Sequence, residues 1–311
     1  MASKENATAV VCVVGAALID LISYVPRLPA LGETLHGTDF RTGFGGKGAN
    51  QAVMAAKLGA SVSMVTKLGR DTFGDDMLAN FRSLGIDTTF VSFDDSASSG
   101  VAPIAVDPNG DNSIIIVTGA NERMTAADVE HARPAIAAAD VLVCQLEIPH
   151  EVTLAALAVA QEESTFAILN PAPAVRELPR EAYERADVLC PNETEAELLL
   201  GHPIGAGGEL EAARELRVRG ARAVVLTLGE RGCAIATAEE ERHVPAEPVE
   251  ALDTTGAGDA FVGSLATFLA RGEPLAEAAD RANRIAAISV QARGTQTSFP
   301  AAADLPPGLV A

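Results

Sequence analysis

The chain has 311 residues, 48% of them hydrophobic, which is enough for one large domain with a sizeable core. The formal net charge of −19 argues against nucleic acid and anionic membrane surfaces as partners, because both would be repelled. The four cysteines form no Cys-x-x-Cys pair, and the apolar run at residues 10–19 is too short to span a bilayer. We therefore expect a soluble cytoplasmic protein with free thiols.

Short β-branched runs alternate with alanine-rich stretches along most of the chain. The predicted strands are residues 9–15, 61–67, 141–146, 165–169 and 223–227. The predicted helices are residues 48–58, 74–84, 126–138, 151–161, 208–219, 257–270 and 275–292. Such alternation is typical of right-handed βαβ units, so the predicted fold is a three-layer α/β/α sandwich with a mostly parallel sheet.

Two segments, residues 21–44 and 100–117, interrupt this alternation. The second contains two β-prone runs, 101–106 and 113–117, and Asn109-Gly110 between them is a strong hairpin signal. We therefore predict a small β lid, formed by about residues 17–44 and 99–118, on a single domain of residues 1–311. Residues 114–117 are apolar without alternation, so we expect both their faces to be covered, by this domain or by the lid of a partner.

The most informative motif is DTTGAGD at residues 253–259, followed by an apolar helical stretch. Its glycines allow close approach of a ligand to the backbone, and the N-terminus of the following helix suits a phosphate. Asp259 lies in the first predicted turn, where a carboxylate beside polyphosphate would be repelled unless it has a catalytic task. Ordinary helix capping by Asp259 is an equally good explanation of the motif alone.

A second glycine-rich motif, GGKGANQA, spans residues 45–52. Gly43, Gly45 and Gly48 match G-x-G-x-x-G, but residues 40–42 are not an apolar strand, so we reject a dinucleotide site. Lys47 and Asn50 can hydrogen-bond polyols, which favours a binding function over a purely structural turn.

Several polar residues follow predicted strands, where α/β proteins place ligands. Asn192 and Glu195 have the spacing of a capping box, which competes with a role in organising hydrated Mg²⁺. Residues 227–232 form either a tight turn or the floor of a nucleotide site. Glu147 and Asp20 stand at strand ends as candidate ligands or as helix caps.

These motifs together, in this order, resemble the ribokinase-like carbohydrate kinase family from about residue 14 to residue 300. GGKGANQA resembles the ribokinase branch of that family in particular, and residues 170–174 and 191–195 add further matches. The resemblance implies the family fold with a small β lid, and ATP-dependent phosphorylation of the 5-hydroxyl of ribose. It also implies Mg²⁺, K⁺ as a monovalent activator, and a homodimer formed through the lids.

The resemblance also implies roles for individual residues. Asp259 would take the proton of the hydroxyl, and the N–H groups of Gly256, Ala257 and Gly258 would form an anion hole. The implied ribose-binding residues are Asp20, Gly46, Lys47, Asn50, Glu147 and Asp259. The implied ATP-binding residues are Asn192, Thr227, Gly229, Gly232, Gly258 and Asn283. The implied metal positions are Glu195 for Mg²⁺, and Asp253, Thr255, Ser289, Ala292, Gly294 and Ser298 for K⁺.

One departure from the family pattern is Leu18, where many bacterial members carry Asn two residues before the sugar-binding Asp. Loss of a hydrogen bond to a sugar hydroxyl could weaken binding by about 1 kcal/mol. The alternatives are therefore a kinase for another sugar or a nucleoside, with 2-deoxyribose the first to test. A non-catalytic sugar or nucleotide sensor is the alternative from a different class, and the intact run from Gly256 to Asp259 argues against it.

Overall fold

The computed structural model describes residues 8–310 of the protein. Its strands are, in chain order, β1 (Val10–Val14), β2 (Leu18–Tyr24), β3 (Asp39–Gly45), β4 (Ser61–Gly69), β5 (Val91–Asp94), β6 (Gly100–Val106), β7 (Asn112–Ile114), β8 (Val141–Cys144), β9 (Phe166–Leu169), β10 (Val188–Leu189), β11 (Ala223–Thr227), β12 (Cys233–Ala236) and β13 (Glu241–Val244). The α-helices are α1 (Lys47–Lys57), α2 (Thr72–Ser83), α3 (Ala126–His131), α4 (Arg133–Ala138), α5 (His150–Glu163), α6 (Arg180–Arg185), α7 (Glu193–Leu200), α8 (Glu209–Val218), α9 (Ala257–Ala270) and α10 (Leu275–Ser289).

Nine strands form the main sheet in the order β13-β12-β11-β10-β9-β8-β1-β4-β5. Neighbours from β11 to β5 pair in parallel, whereas β12 and β13 extend one edge in antiparallel register. Because parallel strands end at the same edge of the sheet, residues following β8, β9, β10 and β11 are brought together there. The predicted α/β sandwich with a mostly parallel sheet is confirmed.

Two hydrophobic clusters cover the two faces of this sheet. Val11 and Val13 of β1 pack with α1, α2, α9 and α10, whereas Cys12 and Val14 pack with α3 to α8. The alternation follows from the strand geometry, in which successive side chains point to opposite faces. Both faces of β1 are apolar because helices cover both, as is usual for a parallel sheet.

Helices α1 and α9 pack closely, and this contact sets the position of the candidate site. Gly263 permits it, since a Cβ there would lie 2.6 Å from the carbonyl oxygen of Gln51. The N-terminal halves of both helices are therefore adjacent. Residues in the first turns of α1 and α9 can reach one another even though about 200 residues separate them.

The second sheet has four strands in the order β3-β2-β6-β7, and we call it the lid. Strand β2 pairs antiparallel with β3 and parallel with β6, and the β6–β7 hairpin turns at Asn109 and Gly110 as predicted. Gly110 has a φ of +89°, which explains why the turn needs a glycine. Among the described helices, none has the length and apolar character that crossing a membrane requires.

The structure differs from the sequence-based expectation for one helix, and it excludes one of the two alternatives for residues 114–117. The helix predicted over residues 126–138 is two helices, α3 and α4, because Pro134 cannot continue the hydrogen-bond ladder of α3. Residues 39–45 form β3, a mostly exposed strand of the lid, so residues 40–42 are neither an apolar strand nor part of a dinucleotide-binding unit. Residues 114–117 are not covered by this domain, since Ile114, Ile115, Ile116 and Val117 are all exposed.

Candidate active site

The centre of the site is Asp259, in the first turn of α9. Its side chain is buried, with 7% of its surface exposed, and both carboxylate oxygens accept hydrogen bonds from α1. Asn50 Nδ2 donates to Oδ2 at 2.8 Å, and Gln51 Nε2 donates to Oδ1 at 2.9 Å. Hydrogen bonds to an ionised carboxylate are strong and directional, so the carboxylate is held in one orientation.

The N-terminus of α9 lies beside this carboxylate. Gly256 has a φ of +79°, and a Cβ there would lie 2.6 Å from the Thr295 methyl group, so the position strongly favours glycine. Gly258 is exposed, and a Cβ there would meet no atom within 4 Å, so the space above the helix end is open. The Ala257 N–H donates to the backbone carbonyl of Thr254 at 3.2 Å. This N–H is therefore not free for an anion, which differs from the expectation.

Lys47 places a positive charge among carboxylates at the start of α1. Its backbone N–H donates to Glu147 Oε2 at 2.7 Å, which ties α1 to the segment after β8. Burial acts to lower the pKa of the Lys47 amine, but the charges of Asp259, Glu147 and Glu195 outweigh burial and raise this pKa. The amine therefore stays protonated.

Asp20 and Glu147 are the acids on the sugar side of the predicted site. Burial, with the charges of Glu147 and Asp259, raises the pKa of Asp20 to about 7. Burial also raises the pKa of Glu147, although Lys47 opposes this effect. A cavity of about 950 Å³ opens beside Glu147, between the lid residue Thr118 and Ile148 of the main domain. Polar ligands that neutralise or hydrogen-bond these acids would relieve the cost of their burial.

Asn192 and Glu195 form the predicted capping box at the start of α7. The Asn192 side chain accepts the N–H of Glu195 at 2.8 Å, and Glu195 Oε2 accepts the N–H of Asn192 at 2.9 Å. Glu195 is buried, and burial raises its pKa, with a contribution from the charge of Asp259. Capping therefore explains the spacing of Asn192 and Glu195. The buried Glu195 carboxylate also interacts electrostatically with Lys47 and Asp259.

The remaining nucleotide-side candidates lie around β11 to β13. Thr227 bridges to Asn192, and the N–H of Leu228 donates to the carbonyl of Gly232, which closes a tight turn containing Gly229. Asn283 is buried in α10, where its amide donates to the Val244 carbonyl at 3.3 Å. These residues share one edge of the sheet, but no hydrogen bond joins Gly229, Gly232 or Asn283 directly to Asp259 among the described contacts.

Asp253 joins the two segments that contain the candidate K⁺ positions. Its carboxylate accepts the N–H of Thr255 at 3.0 Å and the N–H of Gly294 at 2.9 Å. Burial opposes ionisation of Asp253, but these donors hold its pKa below the usual range. Ser289 and Ser298 are buried, whereas Ala292 is exposed. The structure thus brings residues 253–255 next to residues 289–298.

The family model described as "pfkB family carbohydrate kinase" matches residues 8–302. Ribokinase of Mus musculus is 46% identical over 97% of this chain and 95% of its own length, and deoxyribokinase of Salmonella typhi is 42% identical over 93% and 95%. The chain belongs to the pfkB carbohydrate kinase family. The expected family and kinase class are therefore confirmed.

A solved structure agrees with this assignment. The structure of Arabidopsis thaliana ribokinase complexed with ribose and ATP is 30% identical and has a TM-score of 0.87. The alignment covers 96% of this chain and 97% of that one. The pfkB fold therefore extends over nearly the whole chain, with the lid included.

Sequence reasoning missed three buried amides of this pfkB protein, Gln51, Gln145 and Gln296, which lie next to predicted site residues. Gln51 contacts Asp259 directly, and Gln296 donates to Asn50 at 3.0 Å. One signal was available: Gln51 follows Asn50 on a helix that is otherwise apolar or small at its buried positions. A fully buried glutamine there requires hydrogen-bonding partners.

Proposed function

We propose that this protein transfers the γ-phosphoryl group of ATP to the 5-hydroxyl of D-ribose, giving ribose 5-phosphate and ADP. The observation that carries the proposal is the pairing of Asp259 with an open helix N-terminus. Its carboxylate is fixed by two donors, and the space above Gly258 is free for a phosphoryl group. Such an arrangement suits proton removal from an attacking hydroxyl and stabilisation of developing phosphate charge.

On this proposal, Asp20, Gly46, Lys47, Asn50 and Glu147 bind the sugar and orient its hydroxyl toward Asp259. Asn192, Thr227, Gly229, Gly232 and Asn283 hold the nucleotide at the other end of the cleft. The N–H groups of Gly256, Ala257 and Gly258 form the anion hole, and Ala257 must release Thr254 to contribute. The lid, which carries Asp20, excludes water from the site.

Mg²⁺ fits the balance of charges around Asp259. Glu147, Glu195 and Asp259 interact with a single lysine, Lys47, and Asp20 interacts with Glu147 and Asp259, so the excess negative charge favours a cation. Glu195 already accepts two donors from Asn192, so we propose that it binds Mg²⁺ through water, as this ion commonly allows. The bound ion would neutralise charge on the transferring phosphates.

K⁺ fits the segments joined by Asp253. The metal ligands that these segments can offer are a carboxylate and backbone carbonyl oxygens, which are hard oxygen ligands. Within residues 8–310, no group of three or more His, Cys, Asp and Glu side chains is arranged as a metal site, so such an ion would depend mostly on carbonyls. We propose that Asp253, Thr255, Ser289, Ala292, Gly294 and Ser298 hold it.

We further propose a single domain, a homodimer formed through the lids, and a cytoplasmic location. The lid exposes four consecutive aliphatic residues, 114–117, together with Phe40. The exposed apolar run of residues 114–117 favours association. All four cysteines are buried and unpaired, which fits a reducing compartment.

The test is ADP release from Mg-ATP with D-ribose, 2-deoxyribose, fructose and adenosine, each with and without K⁺. We expect turnover with ribose that increases with K⁺. Turnover only with another acceptor would retain the kinase and overturn the substrate. Folded protein that binds ATP but turns over no acceptor would favour the sensor.

2-Deoxyribose is the second candidate acceptor because Leu18 is apolar, buried and two residues before Asp20 on β2. Side chains two apart on a strand share a face, so Leu18 lies on the same face as Asp20. One relative, at 42% identity, is a deoxyribokinase. Leu18→Asn should raise the preference for ribose over 2-deoxyribose by about fivefold or more, from one added hydrogen bond.

A further inference from the structure

Two consecutive residues of α1 share the task of holding Asp259. Asn50 donates to one carboxylate oxygen and Gln51 to the other. Asn50 is 5% exposed and Gln51 is fully buried, so neither amide can exchange its partner for solvent. An amide has a donor end and an acceptor end, and only the donor end is attracted to a carboxylate. The orientation of each amide therefore matters for Asp259.

Further amides fix those orientations. Gln145 Nε2 donates to Gln51 Oε1 at 2.6 Å, and Gln296 Nε2 donates to Asn50 Oδ1 at 3.0 Å. Asn80 in turn donates to Gln296 Oε1 at 3.0 Å. Each acceptor end that faces away from Asp259 is thus occupied by another donor. Rotation of either α1 amide would leave these donors unpaired and would turn an oxygen toward the carboxylate.

Gln145 orients Gln51 although its own side chain is not fully hydrogen-bonded. Its side chain is fully buried, and its Oε1 atom has no partner among the described residues, while its donor is used on Gln51. An unpaired buried acceptor costs free energy that an apolar side chain would avoid. Packing alone does not account for a glutamine there, whereas orientation of Gln51 does.

We propose that Gln51 and Gln296 are positioning residues for the base Asp259: Gln51 acts directly, and Gln296 acts through Asn50. The inference rests on the proposed kinase function. The hydrogen bond from Gln51, and the one from Asn50 that Gln296 orients, hold the Asp259 carboxylate in one rotamer. They leave its remaining lone pairs free for the sugar hydroxyl. The Gln296 arm also connects Asp259 to the C-terminal segment, which Lys57 anchors to α1 through the carbonyls of Gln296 and Phe299.

Several charged groups interact with the Asp259 carboxylate that these hydrogen bonds hold. Asp20 on β2, Glu147 after β8 and Glu195 on α7 interact unfavourably with the Asp259 charge, whereas Lys47 on α1 interacts favourably. Two hydrogen bonds hold the Asp259 carboxylate in place amid these acids. Their loss should disorder the carboxylate and lower kcat.

The experiment compares Gln51→Met, which keeps the length of the side chain but removes the donor, with wild type. We expect kcat to fall about tenfold to a hundredfold, because the carboxylate is no longer held in its productive orientation. KM for ribose and for ATP should change by less than about threefold, because the lost donor contacts Asp259 and Asn170 and neither substrate directly. Gln161→Met, at an exposed glutamine of α5, is the matched control and should leave kinetics unchanged.

A second variant, Gln296→Met, keeps the test decisive if Gln51→Met does not fold. Gln296→Met should lower kcat less than Gln51→Met, again with little change in either KM, since it acts one amide further away. Folding of each variant is checked by circular dichroism and by ATP binding. Wild-type kcat in a folded variant of either residue would overturn its assignment. Absence of ribose-dependent turnover in the wild-type protein would instead overturn the proposed function.

Discussion

The backbone N–H of Lys47 donates to the carboxylate of Glu147, which lies 100 residues further along the chain. Glu147 therefore has two interactions with Lys47, a hydrogen bond to its backbone and an attraction to its amine. The first fixes where α1 begins, and the second balances the buried charges of Glu147 and Lys47. These two contributions can be separated by substitution.

Glu147→Gln keeps an acceptor for the Lys47 N–H but removes the charge. We expect KM for ribose to rise about tenfold with little change in kcat, because a charge-assisted contact to the sugar is weakened. Glu147→Leu removes the acceptor as well, so the first turn of α1 can shift and kcat should also fall. Steady-state kinetics with varied ribose measure both, with exposed Glu151→Leu as control. Equal kcat in the Gln and Leu variants would contradict the structural half of this prediction.

Asp259→Asn tests the assigned base. The substitution keeps the shape of the side chain but removes the proton acceptor, so kcat should fall about a thousandfold. ATP binding, followed by isothermal titration calorimetry, should remain close to wild type because the nucleotide residues are unchanged. ADP release with ribose at the wild-type rate would show that Asp259 is not the base.

The fold was largely predictable from sequence, and the contacts within the site were not. Helix α9 was predicted with its observed bounds because Gly256 and the apolar run after Asp259 are local signals. The break at Pro134 was also local but was outweighed by the apolar periodicity around it. The Gln51–Asp259 hydrogen bond joins residues 208 positions apart, and no local pattern encodes it. Periodicity tells which face of a helix is buried and not which distant polar group it meets.

The raised pKa of Asp20, about 7 against 3.8 unperturbed, predicts a dependence of stability on pH. The folded protein holds this proton more tightly than the unfolded chain, so Asp20 stabilises the fold less as pH rises from about 4 through 7. Asp20→Asn removes the buried charge. Its melting temperature relative to wild type should therefore be higher at pH 8 than at pH 5, as measured by calorimetric scans at both values. An identical difference at both pH values would contradict the assignment.

Ribose binding should show the opposite trend with pH. If the ionised carboxylate of Asp20 accepts sugar hydroxyls, KM for ribose should fall as pH rises through about 7. Asp20→Asn should abolish this dependence while raising KM at pH 8. A KM profile in the variant that still follows wild type would assign the titration to another group.

Gly256→Ala tests the geometry of the anion site, with Gly272→Ala as a matched control. Both glycines have similar positive φ values, +79° and +85°, so both substitutions cost about 1 kcal/mol in backbone strain. Only at Gly256 would the new methyl group also meet Thr295, whereas Gly272 has open space. Both variants should lose stability, but Gly256→Ala alone should lower kcat, by about tenfold or more. Equal kcat in the two variants would exclude a role for the α9 N-terminus.

The lid surface makes a prediction about assembly. Ile115 is 63% exposed within the apolar run of residues 114–117, and Val218 of α8 is 74% exposed on the main domain. Ile115→Asp places a charge in the proposed lid–lid contact, where it would be desolvated, and should halve the mass measured by light scattering. Val218→Asp is the control, with an equally exposed aliphatic residue outside the lid, and should leave the mass unchanged. A wild-type monomer, or an Ile115→Asp dimer, would contradict association through the lids.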